Sequence, residues 1–144
     1  MVEVKNLSVK FDDFIAVDNI SFSVKKGEIF GFLGANGAGK TTTIRVLSGL
    51  LRPSIGRVRV AGIDIDADIQ NIEKNIERVK KSIGYMSQKF TLYDDLSVDE
   101  NLQFTAGLRK IPKKIFTQRR DELLSLIAFQ KKTNTLIRDL PGGI

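Results

Sequence analysis

The chain has 144 residues, a formal charge of +6, an apolar fraction of 42%, and neither cysteine nor histidine. Its length is that of one domain, typically ~50–250 residues, and its composition excludes disulfides, thiolate metal sites and imidazole ligands, leaving oxygen-ligated metals such as magnesium. No apolar run approaches the ~20 residues that span a bilayer, and Met1 leads straight into a strand-like segment, so a cytoplasmic location is expected. Val2–Val9 and Ile20–Val24 alternate with period two and are expected to pair as antiparallel, half-buried strands. Lys25-Lys26-Gly27 supplies a turn. Glu28–Leu33 is apolar nearly throughout, the pattern of a strand covered on both faces of a parallel sheet.

Directly after it, Gly34 to Thr42 read Gly-Ala-Asn-Gly-Ala-Gly-Lys-Thr-Thr, a full match to the phosphate-binding loop G-x-x-x-x-G-K-[ST]. The glycines let the backbone curl so that N–H groups point inward, and the following helix adds its positive dipole end. Residues Gly34, Asn36, Gly37, Ala38 and Gly39 would form the cradle of a nucleoside triphosphate, with Thr42 at its rim. Lys40 would reach the β and γ phosphates, and the Thr41 hydroxyl would complete the oxygen shell of magnesium. A glycine-rich turn that binds nothing is the plainer alternative, but four specified positions between a strand pattern and a helix pattern argue for the cradle.

Beyond the loop, Ile44, Leu47 and Leu51 recur at helical spacing, and the helix is expected to run until Leu51-Arg52-Pro53 stops it. Ile69, Ile72, Ile76 and Val79 form one face of an amphipathic helix. Ser97 and Glu100 have the spacing of a capping box that opens a helix through about Lys110. Pro112 opens another, on which Phe116, Leu123, Leu126 and Ile127 share a face. Arg109, Lys110, Lys113, Lys114, Arg119 and Arg120 cluster in this region without interleaved aromatics, so a solvated helix face is expected and no nucleic-acid partner. No repeat or linker divides the chain.

The run Val17-Asp18-Asn19-Ile20-Ser21-Phe22, then Gly27-Glu28, then the loop itself, resembles the nucleotide-binding subunit of ABC transporters. Ile83-Gly84-Tyr85-Met86-Ser87-Gln88 is similar to the strand that leads into the Q-loop of that family. Leu92–Leu102 is similar to the entry of its helical subdomain. The resemblance covers the whole chain and implies an α/β fold: a P-loop, RecA-like core with an antiparallel β layer over residues 1–88, and the start of a helical subdomain over residues 89–144.

That resemblance also implies roles. Phe11 stands where the family places an aromatic on the adenine ring, with Phe14 as competitor and core packing as the plain reading. Gln88 would be the Q-loop residue, a magnesium ligand that also touches the attacking water. Leu140-Pro141-Gly142-Gly143 stands where the family has Leu-Ser-Gly-Gly-Gln, the signature that caps ATP on a second subunit, with Pro141 in place of the serine. The Asp-Glu strand end and switch histidine that follow in the family are missing, so the chain is expected to be truncated before that strand. It should then bind ATP and Mg2+ with negligible hydrolysis. A second ATP-binding subunit and a transmembrane permease are the implied partners, export the implied direction, and the cytoplasmic membrane face the implied place. Two rival readings are a soluble ABC ATPase without a permease and a P-loop GTPase, since Asp139-Leu140-Pro141-Gly142 also fits D-x-x-G.

Overall fold

Alternation in the first two dozen residues sets the architecture. In the computed structural model, which describes residues 1–66, 70–87 and 92–141, β1 (Val2–Phe11) and β2 (Phe14–Val24) form an antiparallel hairpin through Asp12–Asp13. β3 (Ile55–Val60) adds to the other side of β1, and β4 (Ile63–Asp64) follows it, giving the antiparallel order β2-β1-β3-β4. The apolar residues of β1 do not keep strict alternation: Val4 and Leu7 are three apart, yet both are buried. A bulge resolves the conflict, because one extra residue returns the strand to the same face. It falls at Asn6, at φ 51, and the register with both neighbours shifts there. Gly56 sits opposite at φ 100, where a Cβ would overlap the Asn6 carbonyl, so this position requires glycine.

One compact unit, Met1–Met86, is built on that sheet. Its core joins Val4, Leu7, Val9, Val17, Val58 and Val60 of the strands to Val46 of α1 (Lys40–Leu47) and Val79 of α2 (Ile72–Ser82). The expected amphipathic helix is present, with Ile72 and Val79 buried; Ile69 lies outside the described residues. Two sequence expectations need correction. First, α1 ends at Leu47, well before Pro53. Gly49, at φ 67, gives its N–H to Val46 O at 2.9 Å, and Leu50 N–H reaches Arg45 O at 2.8 Å. This is a left-handed glycine cap of the Schellman type, which satisfies the last carbonyls without any proline.

Second, Glu28–Leu33 forms no strand ladder, and neither do Ile83–Ser87; among the described residues the sheet is antiparallel throughout. A strand exists through its hydrogen-bonded neighbour, and no described segment pairs with Glu28–Leu33. The run is apolar on both faces, but only one face has partners. Phe30 and Phe32 pack on Phe22, at ring distances of 5.4 and 5.1 Å, while Ile29 and Leu33 are exposed.

The second unit, Ser87–Ile144, holds α3 (Val98–Leu108), α4 (Lys113–Leu126) and a 3₁₀ turn at Ile137–Asp139. The capping box is formed as expected: Ser97 Oγ accepts from Glu100 N–H, and Glu100 Oε2 accepts from Ser97 N–H at 2.8 Å. The next two orphan donors of the helix start, Val98 and Asp99 N–H, reach the carbonyls of Thr135 and Thr133 at 3.0 and 2.9 Å, so the C-terminal strap completes the cap. α4 buries no residue, and of its expected apolar face Leu123 and Leu126 stand exposed. Its basic cluster is partly neutralised, since Arg119 pairs with Glu122 and Arg120 with Asp99 and Asp121.

Candidate functional site

Gly34 to Thr42 make a loop that could not be built from ordinary residues. Gly34, Gly37 and Gly39 have φ of 153, 84 and 78°, conformations that cost other L-residues steric strain. Ala38 N–H closes a turn onto Ala35 O at 3.2 Å, with Asn36 and Gly37 at its corners. Gly39 has a second constraint: a Cβ there would stand 2.5 Å from the Ala16 carbonyl oxygen and 3.0 Å from Val17 Cγ2. β2 therefore buttresses the loop directly. Nothing in the sequence signals this contact, because Ala16 and Val17 carry no motif of their own.

Electrostatically the loop is a donor-rich concavity. Among the described residues, the N–H groups of Gly37, Gly39, Lys40 and Thr41 donate to no protein acceptor, as expected at a helix start. Lys40 Nζ folds over the loop and donates to the carbonyls of Gly34 and Ala35, each at 2.6 Å. The three threonines differ. Thr43 is buried, and its hydroxyl donates to Gly39 O at 3.0 Å, which anchors the loop to α1. The hydroxyls of Thr41 and Thr42 have no protein partner among the described residues and Thr41 is exposed. A cavity of about 570 Å³ adjoins the loop, lined by Val17, Asp18, Phe22, Phe32, Ala38 and Lys40 among others.

Phe11 and Phe14 face each other as the last pair of the β1–β2 hairpin. Both are exposed, at 45% and 65%, which removes the core-packing reading and leaves two available ring faces two to five residues from the Ala16 buttress. Leu140 and Pro141 line an apolar cavity of about 480 Å³ with Val98, Leu102, Leu124 and Ile127. Gln88, Gly142 and Gly143 lie outside the described residues. Among the described residues no three acidic side chains gather into a metal-binding cluster, and no helix is long and apolar enough to cross a membrane.

One organising residue escaped the sequence reading. Asn101 is 4% exposed; its amide nitrogen donates to the carbonyls of Tyr93, Leu96 and Ser97, and its oxygen accepts from Tyr93 N–H at 2.8 Å. A polar residue inside an expected helix was the available signal, since asparagine is unfavourable there unless its side chain has local partners.

A family profile described as ABC transporter matches residues 17–144. The probable multidrug ABC transporter ATP-binding protein YbhF of Escherichia coli is 44% identical over 108 residues, which is 75% of this chain and 18% of that protein. The methionine import ATP-binding protein MetN of Carboxydothermus hydrogenoformans is 35% identical over 99% of this chain and 42% of its own length. Two solved structures share the fold: cbiO1 of Clostridium perfringens, part of the cbiONQ ABC transporter complex, with TM-score 0.80 and 27% identity over 97% of this chain and 55% of that one, and the ATP-binding cassette MJ0796, a dimer bound to ADP and Pi, with TM-score 0.78 and 25% identity over 99% and 64%. The chain thus spans less than half of these two curated relatives and about three fifths of these solved cassettes. With the family profile matching residues 17–144 and relatives 35–44% identical over three quarters or more of it, the chain belongs to the ABC transporter family of ATP-binding proteins.

Proposed function

We propose that this chain is the nucleotide-holding part of an ABC transporter ATPase subunit, binding ATP with magnesium at Gly34–Thr42. The observation that carries the reading is the loop geometry: three glycines at positive φ, unpaired N–H groups, and Lys40 Nζ held over them by two carbonyls. The residues fit the ligand. Free N–H donors and a helix N-terminus suit phosphate oxygens, and Lys40 can exchange two neutral acceptors for charged ones, roughly twice as strong. The unpartnered Thr41 hydroxyl suits a magnesium ion that keeps most of its other ligands as water and phosphate. Gln88 would add the second protein ligand and contact the attacking water. Phe11 or Phe14 would stack on the adenine.

Two such subunits would close on each other when ATP is held at the loop, and the triphosphate would supply the energy of that closure. Leu140–Gly143 would cap the nucleotide of a second subunit, and Pro141 offers that contact neither a hydroxyl nor an N–H. A transmembrane permease, export as the direction and the cytoplasmic membrane face complete the proposal; the 44% identity to a probable multidrug ABC transporter ATP-binding protein supports it. Among the described residues, the carboxylate that lines the cavity beside the loop is Asp18, solvent-exposed on β2, so turnover by these 144 residues is expected below about 1 s⁻¹. Titration calorimetry of MgATP against wild type and Lys40→Ala, with a phosphate-release assay, tests the reading. Lys40→Ala should weaken binding at least about tenfold, in line with one lost charge-assisted contact; equal affinities would remove Lys40 from the site.

A further inference from the structure

Asn36 and Gly37 carry a chemistry of their own. When glycine follows asparagine no Cβ shields the next backbone nitrogen, which can attack the asparagine side-chain carbonyl. Elsewhere in this chain asparagine precedes Leu7, Ile20, Ile72, Ile76, Leu102 or Thr135, all branched residues. Asn36 is exposed, and its amide has no protein hydrogen bond among the described residues, whereas that of Asn101 is held by four. Among the described residues the Gly37 N–H is also without an acceptor, no atom beyond its chain neighbours lies within 4 Å of where its Cβ would be, and the turn is closed by one 3.2 Å bond. Rotation of the 36–37 peptide into an attacking position is therefore opposed by little.

We propose that Asn36 is a self-modification site that inactivates the loop when nucleotide is absent. The Gly37 nitrogen bonds to Cγ of Asn36 and loses its proton, the Cγ–Nδ2 bond breaks, and the departing nitrogen takes up a proton and leaves as ammonia; water then opens the five-membered succinimide at either carbonyl, giving aspartate or isoaspartate. Either product puts a negative charge into a cradle whose N–H groups would donate to phosphate oxygens, and isoaspartate also lengthens the main chain by one methylene. Bound phosphate would hold the loop N–H groups, Gly37 among them, and so prevent the rotation. This last step rests on the loop being the nucleotide site.

The test holds the chain in mildly alkaline buffer with and without MgATP, with calorimetry confirming occupancy, and follows each asparagine by peptide mapping with isoaspartate detection. Asn36 should convert at least about tenfold faster than Asn134, an exposed asparagine followed by a β-branched residue, and saturating MgATP should slow it several-fold. Conversion no faster than that of Asn134 overturns the site. Proven MgATP binding with unchanged conversion overturns the protection. Rapid conversion in a chain that binds no MgATP upholds the site and removes the nucleotide reading instead. Asn36→Asp should lower MgATP affinity at least about tenfold through like-charge repulsion; unchanged affinity would overturn the inactivation.

Discussion

The two units are held together by different forces. In Met1–Met86 the side chains of Leu7, Val9, Val46, Val58, Ile65 and Val79 are at most 1% exposed, and helices and sheet meet through apolar surface. In Ser87–Ile144 the buried set among the described residues is Val98, Ala106, Ser97 and Asn101, and half of it is polar. Hydrophobic burial tolerates small displacements, whereas a hydrogen-bonded hub has one geometry. The phosphate loop therefore stands on a packed base. The C-terminal strap, through Thr133, Thr135 and Ile137, locks its backbone donors and acceptors onto the start of α3.

Leu7→Ala gives the largest expected effect. Leu7 is fully buried in the core of the sheet, so its loss should cost about 3 kcal/mol through lost burial plus a cavity. Hydrogen exchange should find protection falling in β1 and α1 while α3 keeps its own. Uniform loss across both units would merge them into one cooperative block and erase the comparison.

Asn101→Ala is the converse, with a cost of about 2 kcal/mol, because it leaves the part-buried Tyr93 N–H without its acceptor and takes the side-chain donor from the carbonyls of Tyr93, Leu96 and Ser97, which keep only their backbone donors. α3 should lose exchange protection while β1 does not. Protection unchanged at α3 would mean that apolar contacts, not the amide hub, organise that unit.

These two cases also mark what was legible in the sequence. The glycine-turn geometry of Gly34–Thr42 could be read because it is local: its positive-φ glycines and Lys40 lie within nine residues. Strand pairing of β1 with β2 and the Ser97–Glu100 cap could be read for the same reason. Asn101 could not, because its partners Tyr93 and Leu96 become a ring only once the chain has turned. Glu28–Leu33 was misread because an apolar run states that a segment can be covered on both faces, not that neighbours are present to do so. The α1 terminus was misplaced at Pro53 when the nearer signal, Gly49 after Ser48, already supplied a left-handed cap.

Ser97→Ala is smaller, about 1 kcal/mol for a lost N-cap, and it has a pH signature. The Ser97 hydroxyl and then its backbone N–H stabilise ionised Glu100, lowering its pKa from the ordinary glutamate value. A group whose pKa is depressed by folding contributes stability above its unfolded value, and that contribution is lost as pH falls through the folded one. Thermal melts from neutral to acid pH should therefore show wild type losing part of its advantage over Ser97→Ala on acidification. A gap that stays constant would detach Glu100 from the cap.

Most direct for the central claim is a two-dimensional amide NMR titration of the chain with MgATP. Resonances of Gly34–Thr42 should move strongly, with smaller shifts at Ala16 and Val17 behind Gly39, while Ser97, Glu100 and Asn101 stay in place. Shifts confined to residues of the second unit, or none at Gly37, Gly39 and Lys40, would contradict a nucleotide site built on the buttressed loop.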